Sequence, residues 1–275
     1  MPIRSLLLVA LLAGCSLMPA MQQSFAEAIG ELRTELAAKD IPTDWFDNAI
    51  RDTRFNLHAD IENRFTSAAE HKVDRTEEKT IEWYFNVFGV DYKVNKGRTF
   101  VQENRELLLQ MEAAYGIDYE LVVAVLGMET NFAQERYKGD YFVFNSLVSQ
   151  YLFMERRRGF ALRELTALYS FCSKTGSDTY LFIGSFAGAS GWGQFIPSSL
   201  LSFFVDAAGD DHDIDIYSLE DNVHSIANYL AAHGLNAKTM GDADKRYWAV
   251  YAYNHSDAYV QAVLYIYDAL KKERK

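Results

Sequence analysis

Helical periodicity runs through nearly the whole of this 275-residue chain and leaves few other folds open. In residues 23–40 (QSFAEAIGELRTELAAKD) and 102–114 (QENRELLLQMEAA), apolar side chains recur at the spacing that lines one face of a helix. Gly116 stops the second segment, and Asp118 caps a helix predicted over Tyr119–Thr130. Ser218 with Asp221 forms a capping box for a helix to Ala232, ended by Gly234. Ser256 caps a last helix, Asp257–Lys271, whose basic tail suits a helix C-terminus. Strand signals are few, the best being Val90–Val94 and Phe182–Phe186. The expectation is a mainly α fold (α+β with little strand). An N-terminal helical part reaches to about residue 100, and a mainly helical core follows. With four prolines and no turn-rich or charged linker, the two parts are expected to pack as one unit. The chain shows no internal repeat and no low-complexity run.

The first residues read as an address. Arg4 precedes the run Leu6–Ala13, which is too short to cross a bilayer core that needs ~20 apolar residues but matches the apolar region of a secretory signal. Leu12-Ala13-Gly14-Cys15 then looks like a bacterial lipobox, with cleavage before Cys15 and a diacylglycerol joined to its sulfur by a thioether. A plain signal peptide cleaved near Ala20 or Ala26 is the alternative. On the lipobox reading, residues 1–14 are removed, 15–22 form a lipid-anchored tether, and 23–272 form the folded domain. Ser16 after the cysteine points to the outer membrane of a Gram-negative cell. Cys172 is then the one thiol left, so no internal disulfide forms. A net charge of −11 makes nucleic acid a poor partner, because binding it relies on Lys and Arg to neutralise phosphates.

Three stretches carry candidate chemistry. Glu129 lies three, four and seven residues after Leu126, Val125 and Val122, on the apolar stripe of its helix. A carboxyl on a buried face has a raised pKa and stays protonated near neutrality, as a general acid must. The alternative is a solvated glutamate at a helix end. In Gly184–Ser199, four of the 16 glycines fall within ten residues, which allows close backbone approach. Trp192 and Phe195 there offer flat faces, and Ser185 and Gln194 offer hydrogen-bonding groups, a combination suited to a sugar. A tight structural crossing is the alternative, and the glycine spacing fits neither a dinucleotide fingerprint nor a phosphate loop. Tyr251–Tyr259 lies between two helices and can present its polar side chains from a loop, or serve as an ordinary helix–helix turn with Asn and Ser as local caps.

The segments GMETNF with Glu129, GSFAGASGWGQFIPSS, IANYLAAHGL and YNHSDAY occur in one order at compatible distances. Together they resemble the lytic murein transglycosylase B family (glycoside hydrolase family 103), over about residues 23–270. The resemblance implies a lysozyme-like catalytic core over residues 101–272, preceded by the helical part 23–100. It also implies cleavage of the β-1,4 bond between N-acetylmuramic acid and N-acetylglucosamine in peptidoglycan without water. The C6 hydroxyl of the muramic unit attacks its own C1 and leaves a 1,6-anhydro end. Glu129 matches the family's catalytic glutamate, first acid and then base, and the substrate's own 2-acetamido group stabilises the developing charge. Ser185 and Asn254 match polar residues near the acetamido group and C6. Gln194 matches a glutamine near the catalytic acid, and Tyr229 and Tyr253 match aromatic residues lining the cleft. Arg156 and Arg157 match a pair placed to hold the anionic part of the substrate. The run Glu155–Arg158 lacks the proline expected there, and a solvated basic turn is the alternative for these two.

No cofactor is implied. The stretch Asp206 to Asp221 holds seven carboxylates at a place where some relatives bind calcium. Counted from Asp206, however, Ala208, Asp211 and Tyr217 stand where an EF-hand loop wants an oxygen ligand, Gly and Glu, so an unmetallated loop is expected. The six histidines have no zinc-ligand spacing. The expected partners are peptidoglycan glycan strands and, through Cys15, the membrane, with other cell-wall enzymes as candidates. Alternatives to the transglycosylase are a hydrolytic, lysozyme-type muramidase and a non-catalytic peptidoglycan-binding lipoprotein. The presence of Glu129, Ser185, Gln194 and Asn254 together argues against the last. A sugar-transport receptor would need alternating strands, and those are absent from the pattern.

Overall fold

A computed structural model describes residues 19–72, 80–209 and 214–274. Cys15 and the lipobox lie outside the described residues, as do Asp210, Asp211 and Asp213 of the acidic stretch. The helices are, in chain order, α1 (Pro19–Ala37), α2 (Thr43–Arg51), α3 (Ile61–Lys72), α4 (Ile81–Phe88), α5 (Val90–Glu103), α6 (Arg105–Tyr115) and α7 (Tyr119–Thr130). They continue with α8 (Val143–Phe153), α9 (Arg158–Thr175), α10 (Pro197–Phe203), α11 (Leu219–Ala232), α12 (Ala243–Tyr253) and α13 (Asp257–Lys271). Extended structure among the described residues amounts to Tyr141–Phe142, Ile183–Gly184 and isolated bridges, so the fold is mainly α, as expected.

The chain divides into two compact units, each built from separated segments. Among the described residues, the first takes 19–72, 141–182 and 186–188. Within it α8 packs on α9, α1 and α3, around a core that includes Leu32, Leu36, Phe46, Phe144, Leu147 and Leu168. Cys172 of α9 is a buried, free thiol, and burial pushes its pKa up to about 12.

Among the described residues, the second unit takes 80–140, 183–185, 189–209 and 214–274, and α7 is its centre. Residues Leu121 to Leu126 are completely buried, so this helix is apolar on every side, the pattern of a helix enclosed by others. Helices α13, α5 and α11 pack around it, and α12 and α4 lie against α13. Full burial of each Val or Leu contributes about 1.5–3 kcal/mol, which makes α7 a firm support for what stands at its end.

Val90–Val94 is helix, not the strand expected. Gly89, left-handed at φ 62°, closes α4 and opens α5. Val90 and Val94 are buried one helical turn apart, while Tyr92 between them is 55% exposed. In so short a run, alternation and a four-residue spacing give the same pattern. Of Phe182–Phe186, Ile183–Gly184 alone is strand. Two caps differ from expectation as well. Ser218 Oγ accepts the Asp221 N–H at 3.2 Å, but the Asp221 carboxylate takes the N–H groups of Ala207 (3.0 Å) and Asp215 (2.9 Å). Asp118 precedes α7 without capping it, and its carboxylate accepts from Tyr267 Oη (2.6 Å) and from Lys271.

Candidate active site

Glu129 stands in the last turn of α7. Leu126, Val125 and Val122, which share its stripe, are fully buried, and Glu129 itself is partly buried. Burial dominates its titration and raises the carboxyl from 4.5 to about 7, against the opposing pull of a hydrogen bond from Tyr259 and the charge of Lys93. Tyr259 Oη donates to Glu129 Oε1 at 2.5 Å. Tyr259 is the third residue of α13, whose start is fixed by Ser256 Oγ accepting the Tyr259 N–H at 3.4 Å. Burial first, and then the negative charge of Glu129, hold the Tyr259 hydroxyl well above its ordinary range, so it remains a donor. Lys93 Nζ on α5 donates to the Gly127 carbonyl at 2.6 Å, and burial lowers its pKa to about 8.

The glycine-rich loop is tied to this helix end. Thr130 Oγ1, the neighbour of Glu129, donates to the Trp192 carbonyl at 2.7 Å. Ser190 bridges Gly184 on one side and Phe195 on the other, so the backbone doubles back twice. The crossing requires glycine: a Cβ on Gly184 would sit 1.7 Å from Ala189 O. Asn222 on α11 holds the loop from behind, its Oδ1 accepting the Gly193 N–H at 2.9 Å while Nδ2 donates to Ile216 O (2.8 Å) and Ser218 O (2.6 Å).

Trp192 and Phe195, expected to offer flat faces to a ligand, do not. They are 9% and 2% exposed. Trp192 packs on Tyr217 and donates to its carbonyl (2.5 Å), and Phe195 packs among Phe204, Tyr229 and Tyr253. Apolar rings beside so many small residues are drawn into the core.

The other expected residues take distinct places. Gln194 is left-handed (φ 52°), and its Nε2 donates to Gly191 O (3.0 Å) and Lys138 O (3.1 Å), which holds the loop closed. Ser185 is partly buried, its Oγ accepting the Ala189 N–H at 3.3 Å. Tyr253 Oη donates to Gly193 O at 2.6 Å, and Tyr229 Oη donates to Ala252 O at 2.7 Å, with its ring stacked on His233. Asn254 closes α12 and is exposed. These residues and Glu129 all belong to the second unit. Arg156 and Arg157 belong to the first. Arg156 is exposed, whereas Arg157 is fixed, donating to Gln150 Oε1 at 2.7 Å with its guanidinium over Phe160 and Phe65.

Thr130, Lys93, Asn222 and the role of Tyr259 were missed in the sequence. Tyr259 carried a usable signal: a tyrosine on the apolar face of a helix needs a partner for its hydroxyl. Lys93 was hidden because its segment read as a strand.

Comparison with known proteins agrees with this architecture. The chain is 33% identical over 141 residues to the membrane-bound lytic murein transglycosylase B of Escherichia coli (strain K12). The match covers 51% of this chain and 38% of that protein, so it spans well under two thirds of the relative's length. Among solved structures, soluble lytic transglycosylase SltB1 from Pseudomonas aeruginosa superposes with a TM-score of 0.73 at 22% identity, over 89% of this chain and 98% of that one. SltB3 from Pseudomonas aeruginosa, in complex with NAG-NAM-pentapeptide, superposes with a TM-score of 0.74 at 23% identity, over 90% and 80%. The shared fold is the lysozyme-like one expected. Residues 24–243 match the Transglycosylase SLT domain, and the chain belongs to that family.

Proposed function

We propose that this chain is a lytic transglycosylase that cleaves the β-1,4 bond between N-acetylmuramic acid and N-acetylglucosamine in peptidoglycan and leaves a 1,6-anhydro end. The observation that carries this reading is the Glu129 carboxyl at the buried end of α7, which accepts the Tyr259 hydroxyl at 2.5 Å and is raised by burial to about 7. A single group near pKa 7 can give a proton and take one back in the same turnover.

Glu129 protonates the glycosidic oxygen as the bond from C1 breaks. Its carboxylate then takes the proton of the C6 hydroxyl as O6 bonds to C1. The proton count of the enzyme is restored and no water is consumed. Tyr259 stabilises the carboxylate between the two steps through its 2.5 Å hydrogen bond. Ser185 and Asn254 are assigned to the acetamido group and C6, Gln194 and Tyr253 to the wall of the site, and Tyr229 to its support. Arg156 and Arg157 are assigned to the anionic part of the substrate. In this reading residues 23–272 are the catalytic domain, and Cys15 carries a lipid that holds it at the periplasmic face of the outer membrane, beside other cell-wall enzymes.

The test is mass spectrometry of muropeptides released from purified sacculi. The expected products are lighter by one water than hydrolytic ones, and Glu129→Gln releases none while still binding sacculi. Hydrolytic products would establish a muramidase instead, and parental release by Glu129→Gln would remove Glu129 from the chemistry.

A further inference from the structure

The turn that follows Glu129 is strained. Asn131, Phe132 and Ala133 all have positive φ, at 52°, 67° and 55°. Three consecutive side-chain-bearing residues in the left-handed region are costly, and such a run persists where its surroundings over-determine it. Two lysines one turn apart on α5 supply that determination. Lys93 Nζ donates to Gly127 O at 2.6 Å, two residues before Glu129, and Lys96 Nζ donates to Asn131 O at 3.2 Å, two residues after it. The Phe132 ring folds back onto Gly127, where a Cβ would meet it at 2.7 Å, and Lys96 lies over the same ring.

The helix end presents carbonyls with no partner within the helix, and cations are favoured there. An ammonium drawn out of water to such a place is costly unless a charge offsets it. Among the described residues, the titratable groups that act on Glu129 or are acted on by it are Lys93 from α5, Tyr259 from α13 and Tyr253 from α12. Lys93 supplies the positive charge among them.

We infer that Lys93 and Lys96 are positioning residues for Glu129: their ammonium groups clamp the backbone on either side of it, hold the strained turn, and give the carboxylate formed in mid-reaction a counter-charge. The inference rests on Glu129 as the reacting acid, and the two lysines divide the task. Lys93 acts on the charge of Glu129, while Lys96 acts on the geometry of the turn.

The test follows the Glu129 carboxyl directly, by carbon NMR of the chain labelled in its glutamate carboxyl groups, with Glu129→Gln identifying the signal. Lys93→Met is expected to move the midpoint upward by about one pH unit, and Lys93→Arg to restore it. The alkaline limb of kcat/KM on sacculi moves in the same direction. Lys96→Met is expected to leave the midpoint in place and lower kcat at least tenfold with KM unchanged. Lys93→Gln keeps a donor for Gly127 without the charge, and it serves if the methionine variant does not fold. A midpoint unmoved in Lys93→Met or Lys93→Gln, with only a lower Tm, overturns the electrostatic role. Unchanged kcat in Lys96→Met overturns the positioning role of Lys96. If the parental chain does not digest sacculi, the proposed function fails, while the NMR midpoint still decides the role of Lys93.

Discussion

Replacing Glu129 with Gln should stabilise the protein while abolishing its activity, and the gain should depend on pH in a defined way. The carboxyl has a pKa of about 7 in the fold, against an ordinary value of 4.5. Between those values the native state holds a proton that the unfolded chain has released, so stability falls as pH rises through this window. One pKa unit corresponds to about 1.4 kcal/mol, so by pH 8 the parental chain has lost about 3 kcal/mol that it held at pH 4. Gln has nearly the same shape, carries no charge, and can still accept the Tyr259 hydroxyl. Urea unfolding of both chains at pH 4, 6 and 8, at one ionic strength, isolates the effect, because groups common to both largely cancel. The expected result is a small difference at pH 4 that grows to about 3 kcal/mol in favour of Gln at pH 8. A difference that does not change with pH, or one that turns toward the parental chain as pH rises, would refute the claim that Glu129 is held neutral by burial.

Tyr259→Phe removes a hydrogen bond to a charged group, about 1.5 kcal/mol, so the alkaline limb of kcat/KM should rise by about one unit; a pH–rate profile that stays put or moves down contradicts this. Thr130→Val leaves the buried Trp192 carbonyl without its donor, and urea unfolding should show a loss of about 1–3 kcal/mol, with a null result breaking the proposed tie between α7 and the loop. Gly184→Ala puts a methyl 1.7 Å from Ala189 O, so the loop must open; Tm should fall and digestion of sacculi should cease, and a variant that melts with the parent shows the crossing to be looser than described. Chelators should leave Tm unchanged, because the Asp221 oxygens already accept the N–H groups of Ala207 and Asp215 and Asp206 Oδ1 that of Ala208; a large drop would show a bound metal stabilising the acidic stretch.

Much of the second unit could be read locally. The bounds of α7 and α13 follow from periodicity and flanking residues, and Ser218 and Ser256 cap their helices as their positions predict. Glu129 could be placed on a buried stripe by counting back to Val122. The errors have local causes too. Five residues from Val90 to Val94 are too few to separate the two periods, and the rings of Trp192 and Phe195 are equally compatible with a ligand face or a core.

Spacing along the chain determined the helices, their caps, and which face of α7 would carry Glu129, because these depend on interactions within about two turns. Contacts between distant segments decided everything that gives the carboxyl its chemistry. Tyr259 reaches Glu129 across 130 positions and Thr130 reaches Trp192 across 62, while Lys93 arrives from another helix. Even the two compact units are assembled from interleaved segments, so no cut along the chain separates them. The degree of desolvation, and with it the pKa, is set by how completely several helices close around one side chain, a quantity that no stretch of sequence holds on its own.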